Sequence, residues 1–282
     1  MFVTRLISGI VLLILAFLFL FWGDWPLLLA LYFCSMVAYR ELTKALQCTK
    51  NVDTPEKSGG KQEVNLLEIV GFLGVTAYYA AVYFSTDNIM LLMCIVAVFM
   101  AEMFVYVVTF PKFHATQVVA AFFAFMYAPL MLSFVYLTRM CPQGIYLVWL
   151  ILISSWGCDT CAYCVGKLIG RKKIFPVLSP KKSLEGCIGG MLGAAIIGGV
   201  YAQLVVESAF PDKRVVWVVA FICAAGALMS MVGDLAASAI KRNHHIKDYG
   251  KLIPGHGGIM DRFDSMTATA PMIYFLALLM IL

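Results

Sequence analysis

Nine stretches of this chain are apolar for about as many residues as a helix needs to cross a bilayer. An α-helix rises about 1.5 Å per residue and the hydrocarbon core is roughly 30 Å thick, so about 20 apolar residues make a span. Runs of that kind lie at 6–22, 25–42, 66–84, 88–110, 116–137, 145–167, 186–206, 215–240 and 267–282. They predict an all-α, polytopic integral membrane protein with about nine transmembrane helices. Side chains are 62% hydrophobic and 13% charged, against roughly 45–50% and 25% in soluble domains. That excludes a soluble α/β enzyme, a disordered tail protein and a secreted disulfide scaffold. The nine cysteines fall mostly inside apolar runs, where they serve as small hydrophobes. The first run follows Arg5 as a signal peptide would. No small-residue cleavage site follows it and a second run starts almost at once, so it reads as a membrane helix.

Residues 1–140 form an N-terminal region of about five spans. Residues 141–282 form a C-terminal region whose polar connections, 167–185 and 241–266, hold most of its chemistry. The longest polar stretch, 44–65, is rich in Gly, Ser and Lys and is expected to be a flexible loop. Lys and Arg orient the whole. With nine spans and a cytoplasmic N-terminus, 18 of the 21 basic residues fall on the cytoplasmic side, leaving Arg139, Lys213 and Arg214 opposite. That is the positive-inside bias, and it puts both basic connections on one face.

Ionisable residues within a span are costly and mark function by default. Asp159 lies eight residues before Lys167 and Asp234 seven before Lys241, so each sits roughly 10–12 Å below the same end of its helix. Equal depth suits one polar cavity open to the cytoplasm. Glu102 has a similar depth without a motif around it, and reads as a carboxylate neutralised or paired inside the bundle. Tyr163 follows Asp159 by four and shares its helical face. Beyond them come Lys172 and Lys173 and then Ser179-Pro-Lys-Lys182-Ser183-Leu-Glu185-Gly. Hydroxyls, cations and backbone N–H groups near a helix start are the parts of a phosphate site.

Asp234, Ser238 and Lys241 recur at i, i+4 and i+7 and form one polar stripe on an apolar helix. Arg242, Lys247 and Asp248 follow, and then Ile253-Pro-Gly-His256-Gly257-Gly258-Ile-Met-Asp261-Arg262-Phe-Asp264. Its glycines and proline define a close-approach loop whose amides can face an anion. Asp261 and Asp264, three apart, point the same way on a helical turn. Hard oxygen ligands beside phosphate donors fit Mg²⁺, and phosphoryl or nucleotidyl transfer is the natural reaction class.

The stretch from Ser238 to Asp264, Ser-x-Ile-Lys-Arg-x4-Lys-Asp-x-Gly-x2-Ile-Pro-Gly-His-Gly-Gly-Ile-x-Asp-Arg-Phe-Asp, resembles the signature of phosphatidate cytidylyltransferases, the CDP-diacylglycerol synthases. The upstream Asp159-x2-Ala-Tyr163 and Ser179-Pro-Lys-Lys-Ser-x-Glu-Gly resemble the family too, with Ser183 standing where threonine is expected. The likeness is good over roughly 150–265 and only generic before that. It implies transfer of a cytidylyl group from CTP to phosphatidic acid, giving CDP-diacylglycerol and pyrophosphate. It also implies a homodimer among membrane lipids, in the plasma (inner) membrane, with its site facing the cytoplasm and no nucleic-acid partner.

Position by position, the resemblance makes Asp234 and Asp261 the metal ligands for Mg²⁺, with a second cation such as K⁺ beside it. Asp234, Asp261, Lys241, Arg242 and Asp264 become the catalytic group. Lys241, Arg242, Lys247 and Arg262 hold phosphates, while Asp264 and Asp248 either ligate metal or orient those cations. Asp159, Tyr163, Ser179, Lys182, Ser183 and Glu185 complete the nucleotide or lipid-phosphate side, with Ser238, Gly257 and Gly258 also at the substrate. His256 is open to a structural hydrogen bond or to catalysis.

Other readings are weaker. A transporter would concentrate polar residues at the midplane and show an internal repeat; a CDP-alcohol phosphotransferase would carry an Asp-Gly-x2-Ala-Arg motif that is absent here. Cys158, Cys161 and Cys164 are read as small-residue helix packing rather than a cluster site, with Gly189, Gly190, Gly193, Gly198 and Gly199 as close-packing positions. His244 and His245 read as a solvated or phosphate-adjacent pair.

Overall fold

A computed structural model describes residues 2–48, 64–85, 88–210 and 212–282. The expected loop at 44–65 therefore lies largely outside the described residues. Helix covers nearly all the rest, in nine long segments. They are α1 (Phe2–Trp22), α2 (Asp24–Ala45), α3 (Leu66–Phe84), α4 (Asn88–Val108), α5 (Ala115–Met140), α6 (Gly144–Ile169), α7 (Leu184–Leu204), α8 (Val215–Asn243) and α9 (Met260–Met280). Seven of these, α3 to α9, are long and apolar enough to cross a membrane. In α1 the described apolar run Ile7–Trp22 is shorter, and α2 carries Arg40, Glu41 and Lys44 near its end. The chain is a multi-pass, all-α membrane protein.

One apolar core gathers Tyr39 and Leu42 of α2, Tyr78 of α3, Phe125 of α5, Leu150 of α6 and Ile222 of α8. Several of its buried hydroxyls are paired, while Tyr39 Oη has no hydrogen-bond partner among the described residues. Ser35 Oγ and Tyr79 Oη lie 2.6 Å apart, and Tyr78 Oη is 3.1 Å from Ser133 Oγ. Pro129 widens one turn of α5, Met126–Leu130, because proline removes a backbone donor. Tyr79 donates to the Pro129 carbonyl at 3.3 Å. At the other end of the bundle, Arg139 donates to the Leu20 and Phe21 carbonyls at 2.9 and 3.2 Å, closing the C-terminus of α1. Where α2, α3 and α5 meet, Asn65 and Gln117 donate to the Cys48 carbonyl. Burial pushes the Cys48 thiol up to about 12, which leaves it an unreactive part of the turn.

The C-terminal helices pack through glycine. A Cβ on Gly189 would lie 2.6 Å from Val165, one on Gly190 would lie 2.9 Å from Cys158 Sγ, and one on Gly193 would lie 2.6 Å from Cys161 Cβ. Two of the three spaced cysteines therefore serve as small packing residues against α7, as their helical setting implied. α8 ends in a Schellman turn. Ile246 N–H donates to the Lys241 carbonyl at 3.0 Å and His245 N–H to Arg242 at 3.2 Å, with His245 at φ 54°. The histidine pair is thus the stop of α8.

Several boundaries differ from the sequence reading, the start of α9 by the most. The connections span 170–183 and 244–259, and α9 begins at Met260 instead of 267. Asp261, Arg262 and Asp264 made that stretch look like loop, yet carboxylates are favoured in a first helical turn, where they meet the positive end of the dipole.

Candidate active site

α6, α8 and α9 bring their acidic residues together at one end of the bundle. Gly233 makes this possible: a Cβ there would lie 2.6 Å from the Asp264 carbonyl and 2.9 Å from Ala268 Cβ, so glycine lets α9 close on α8 beside Asp234. Asp234 pairs with Lys182 at 2.5 Å. Asp234 is near enough to Asp159 and to Asp264 for its charge to act on each, with Lys182 and Arg262 beside Asp159 and Lys241 and Arg262 beside Asp264.

Asp261 is the most constrained of the set. Its side chain is 4% exposed, and Lys241 Nζ donates to Oδ1 at 2.9 Å. Tyr249 N–H and Gly258 N–H donate to Oδ2 at 2.8 and 3.0 Å. One carboxylate thus folds the glycine loop onto the end of α8. Gly257, at φ +86°, must be glycine twice over, because a Cβ would also lie 2.8 Å from Asp261 Oδ2. Tyr249 completes the clasp, with its hydroxyl on the Ala237 carbonyl at 2.9 Å and Lys241 Nζ 5.3 Å above its ring.

On the other side, a groove of about 450 Å³ is lined by Asp159, Tyr163, Lys167, Lys173, Lys182 and Ser183. Ser183 caps α7 by accepting from Gly186 N–H at 3.2 Å. Glu185 accepts from the Arg171 and Lys172 amides at 3.0 and 3.2 Å. Both residues therefore build the loop that carries the lysines. Ser179 lies in the turn of that loop, its carbonyl accepting from Lys182 N–H at 3.1 Å. Ser238 sits one turn beyond Asp234, half-buried, while Arg242, Lys247, Asp248 and Arg262 are exposed. His256 Nδ1 lies 2.7 Å from Ser8 Oγ of α1.

Sequence reasoning missed Glu41, Tyr249 and Ser8. Glu41 accepts from Ile259 N–H and Met260 N–H at 3.2 and 2.8 Å. A signal was present: Leu31, Ser35, Ala38, Leu42 and Ala45 mark the buried face of α2, and Glu41 falls on it. Glu102 is buried, but neither oxygen has a hydrogen-bond partner among the described residues.

Among the described residues no three His, Cys, Asp or Glu side chains form a group that could hold a metal ion by themselves. Mg²⁺ seldom uses such a group; it takes one or two carboxylates and fills its shell with water and phosphate oxygens. Asp159, Asp234 and Asp264 offer hard oxygens in one neighbourhood, and Asp261 has used three of about four acceptor positions. This donor set fits a magnesium ion shared with a bound phosphate.

Known proteins resemble this chain in sequence. A phosphatidate cytidylyltransferase of Bacillus subtilis (strain 168) is 36% identical over 143 residues, 51% of this chain and 51% of that one. One from Thermotoga maritima is 42% identical over 164 residues, 56% and 58% of the two chains. One from Haemophilus influenzae is 36% identical over 129 residues, 46% and 44%. The chain thus spans about half the length of the curated relatives it matches. The profile of the cytidylyltransferase family matches residues 3–280, nearly the whole length, and the chain belongs to that family.

Proposed function

We propose that the protein transfers the cytidylyl group of CTP to phosphatidic acid, releasing pyrophosphate and leaving CDP-diacylglycerol in the membrane. The carrying observation is the pair of clasps Lys182–Asp234 and Lys241–Asp261, set beside Asp159, Asp264 and Arg262 where α6, α8 and α9 meet. Family membership and the relatives' names support it. A lipid phosphate oxygen attacks the α-phosphorus of CTP in line. The bond to the bridging oxygen breaks, and its electron pair leaves on pyrophosphate. No base is required, because a phosphate monoester is already an anion at neutral pH.

Each residue has a task in this reading. Lys182, Lys241 and Arg262 balance the anions, while Lys173 and Lys167 line the way in. Asp234 and Asp261, with Asp264 and Asp159 near, would hold Mg²⁺, and a second cation such as K⁺ has carboxylates to spare. Held there, the metal would supply charge neutralisation to the phosphate oxygens. Phosphatidic acid is confined to the bilayer and CTP to the cytosol, so the site belongs at the headgroup plane. We place it on the cytoplasmic face of the plasma membrane, with the N-terminus inside, on the distribution of Lys and Arg. A homodimer among membrane lipids is part of the same reading.

The test is direct. Detergent-purified protein receives phosphatidic acid, Mg²⁺ and CTP labelled in the α-phosphate, with ATP as the control nucleotide. Label entering a CDP-lipid, and stopping when EDTA removes the metal, is the expected result. Label entering lipid only from a γ-phosphate would replace this reading with a lipid kinase.

A further inference from the structure

The chemistry sits on α6, α8 and α9, yet the start of α9 is held from α2. The first amides of a helix have no acceptor within it and need one elsewhere. Ile259, at the N-cap of α9, has no side-chain oxygen to offer. Glu41 supplies it from the far half of the chain, Oε1 accepting from Ile259 N–H at 3.2 Å and Oε2 from Met260 N–H at 2.8 Å. Asp261 accepts the preceding amide, Gly258 N–H, at 3.0 Å. Three consecutive amides thus end on two carboxylates.

The fit is close. Glu41 is 7% exposed, and a Cβ on Gly250 or Gly258 would fall on its carboxylate. An anion at the positive end of a helix gains from the dipole as well as from charge-assisted bonds. Because each oxygen takes a different amide, the pair of bonds fixes the rotation of α9 about its axis as well as its position along it. That rotation sets where Asp261, Arg262 and Asp264 point. Glu41 itself does not line the lysine groove.

We propose that Glu41 is a positioning residue for the reaction: a carboxylate from the N-terminal half that sets the register of α9 and with it the three charged groups at its start. This rests on the cytidylyltransferase reading. A displacement of about 1 Å at reacting groups can cost on the order of 100-fold in rate.

The test uses the full chain in detergent, as wild type, Glu41→Ala and Glu41→Gln. Two quantities are read: kcat and KM for CTP with phosphatidic acid, and hydrogen–deuterium exchange of peptides across 249–262 with α7 peptides as reference. In Glu41→Ala, kcat per folded molecule is expected to fall on the order of 10- to 100-fold. KM for CTP moves less than kcat, because the lysine groove is untouched. Exchange at 258–260 rises roughly tenfold or more while α7 is unchanged. Glu41→Gln, which keeps one acceptor oxygen, recovers part of kcat. Unchanged exchange at 258–260 in Glu41→Ala overturns the proposal. So does a loss of activity that only follows the loss of folded protein. If the wild type transfers no label at all, the cytidylyltransferase reading fails, and the exchange data still decide whether Glu41 holds α9.

Discussion

Gly233→Ala should cost both stability and turnover, although it adds one methyl group to a helix. The new Cβ would sit 2.6 Å from the Asp264 carbonyl oxygen and 2.9 Å from Ala268 Cβ, against an ordinary contact of about 3.5 Å. The nearest neighbour is backbone, so no rotamer change relieves the clash and α9 must retreat by most of an ångström. Overpacking of this kind costs about 1–3 kcal/mol. Replacing a mid-helix glycine returns roughly 0.5–1 kcal/mol of helix preference, for a net loss of about 1–2 kcal/mol. Gly199→Ala is the internal control. Its Cβ would meet only Ala220 Cβ, at 3.6 Å, so the helix preference stands alone and the variant should be neutral or slightly more stable. The assay is thermal unfolding of the two purified variants in one detergent, with transfer of α-phosphate label measured beside it. Since the retreat of α9 parts Asp264 from Asp234, turnover in Gly233→Ala should fall by about 10-fold or more. A Gly233→Ala protein as stable and as active as Gly199→Ala would refute the close-approach argument.

Asp234→Asn and Asp261→Asn should both lose nearly all transfer of label, since a neutral amide ligates Mg²⁺ poorly. Melting separates them. Asp261→Asn turns a donor toward groups that already donate at three bonds, at about 1–3 kcal/mol each. Asp234→Asn instead weakens one ion pair whose two side chains are 21% and 31% exposed and keeps an acceptor for the buried Lys182 Nζ, at about 1 kcal/mol. Equal melting temperatures would contradict the assignment of Asp261 as the loop's anchor. Glu102→Gln should keep full activity and lose under about 1 kcal/mol of stability, because its oxygens have no bonds among the described residues to forfeit; a dead, folded variant would give Glu102 a task in the chemistry. Cys161→Ala should keep wild-type turnover, since Cys161 packs on Gly193; a folded but inactive protein would reopen a cysteine-based centre.

Periodicity and hydrophobic length act over neighbouring residues, and that much of the fold was readable. Each apolar run became a helix within a few residues of its expected ends, except α9. There the charges of Asp261, Arg262 and Asp264 masked a first turn, because a count of polar residues cannot tell a loop from a helix start. The site was readable as a set of residue types, but its wiring was not. Lys182 meets Asp234 only after α7 has folded back between them, and Glu41 meets Met260 across nearly the whole chain. Ser183 and Glu185 stood in the right string for a phosphate site. Their observed bonds go to the backbone of their own loop, which a motif does not distinguish from bonds to a ligand. Glu41 lay near the end of the apolar run 25–42, with no motif around it to single it out.

The two clasps divide the work, and the difference lies in how each anion is held. A half-buried cation without a partner costs several kcal/mol, so a site built to receive phosphates must keep its lysines neutralised while it waits. Asp234 and Asp261 do this for Lys182 and Lys241. Asp261 is also bonded to two amides and nearly sealed from solvent, so nothing an arriving nucleotide offers can replace it without opening the loop. Asp234 holds Lys182 without such amides; 21% and 31% of the two side chains are still exposed, although Lys182 Nζ itself is buried. Lys182 is therefore the cation that can exchange its carboxylate for a phosphate, releasing Asp234 for a metal, while Lys241 stays as framework. Under the proposed reaction, Lys182→Met should raise KM for CTP with little change in melting temperature. Lys241→Met should lower the melting temperature first, by the roughly 3–5 kcal/mol that follows from stranding a buried charge, less what the two amides retain. If Lys182→Met melts lower than Lys241→Met, the roles are reversed and the exchange argument fails.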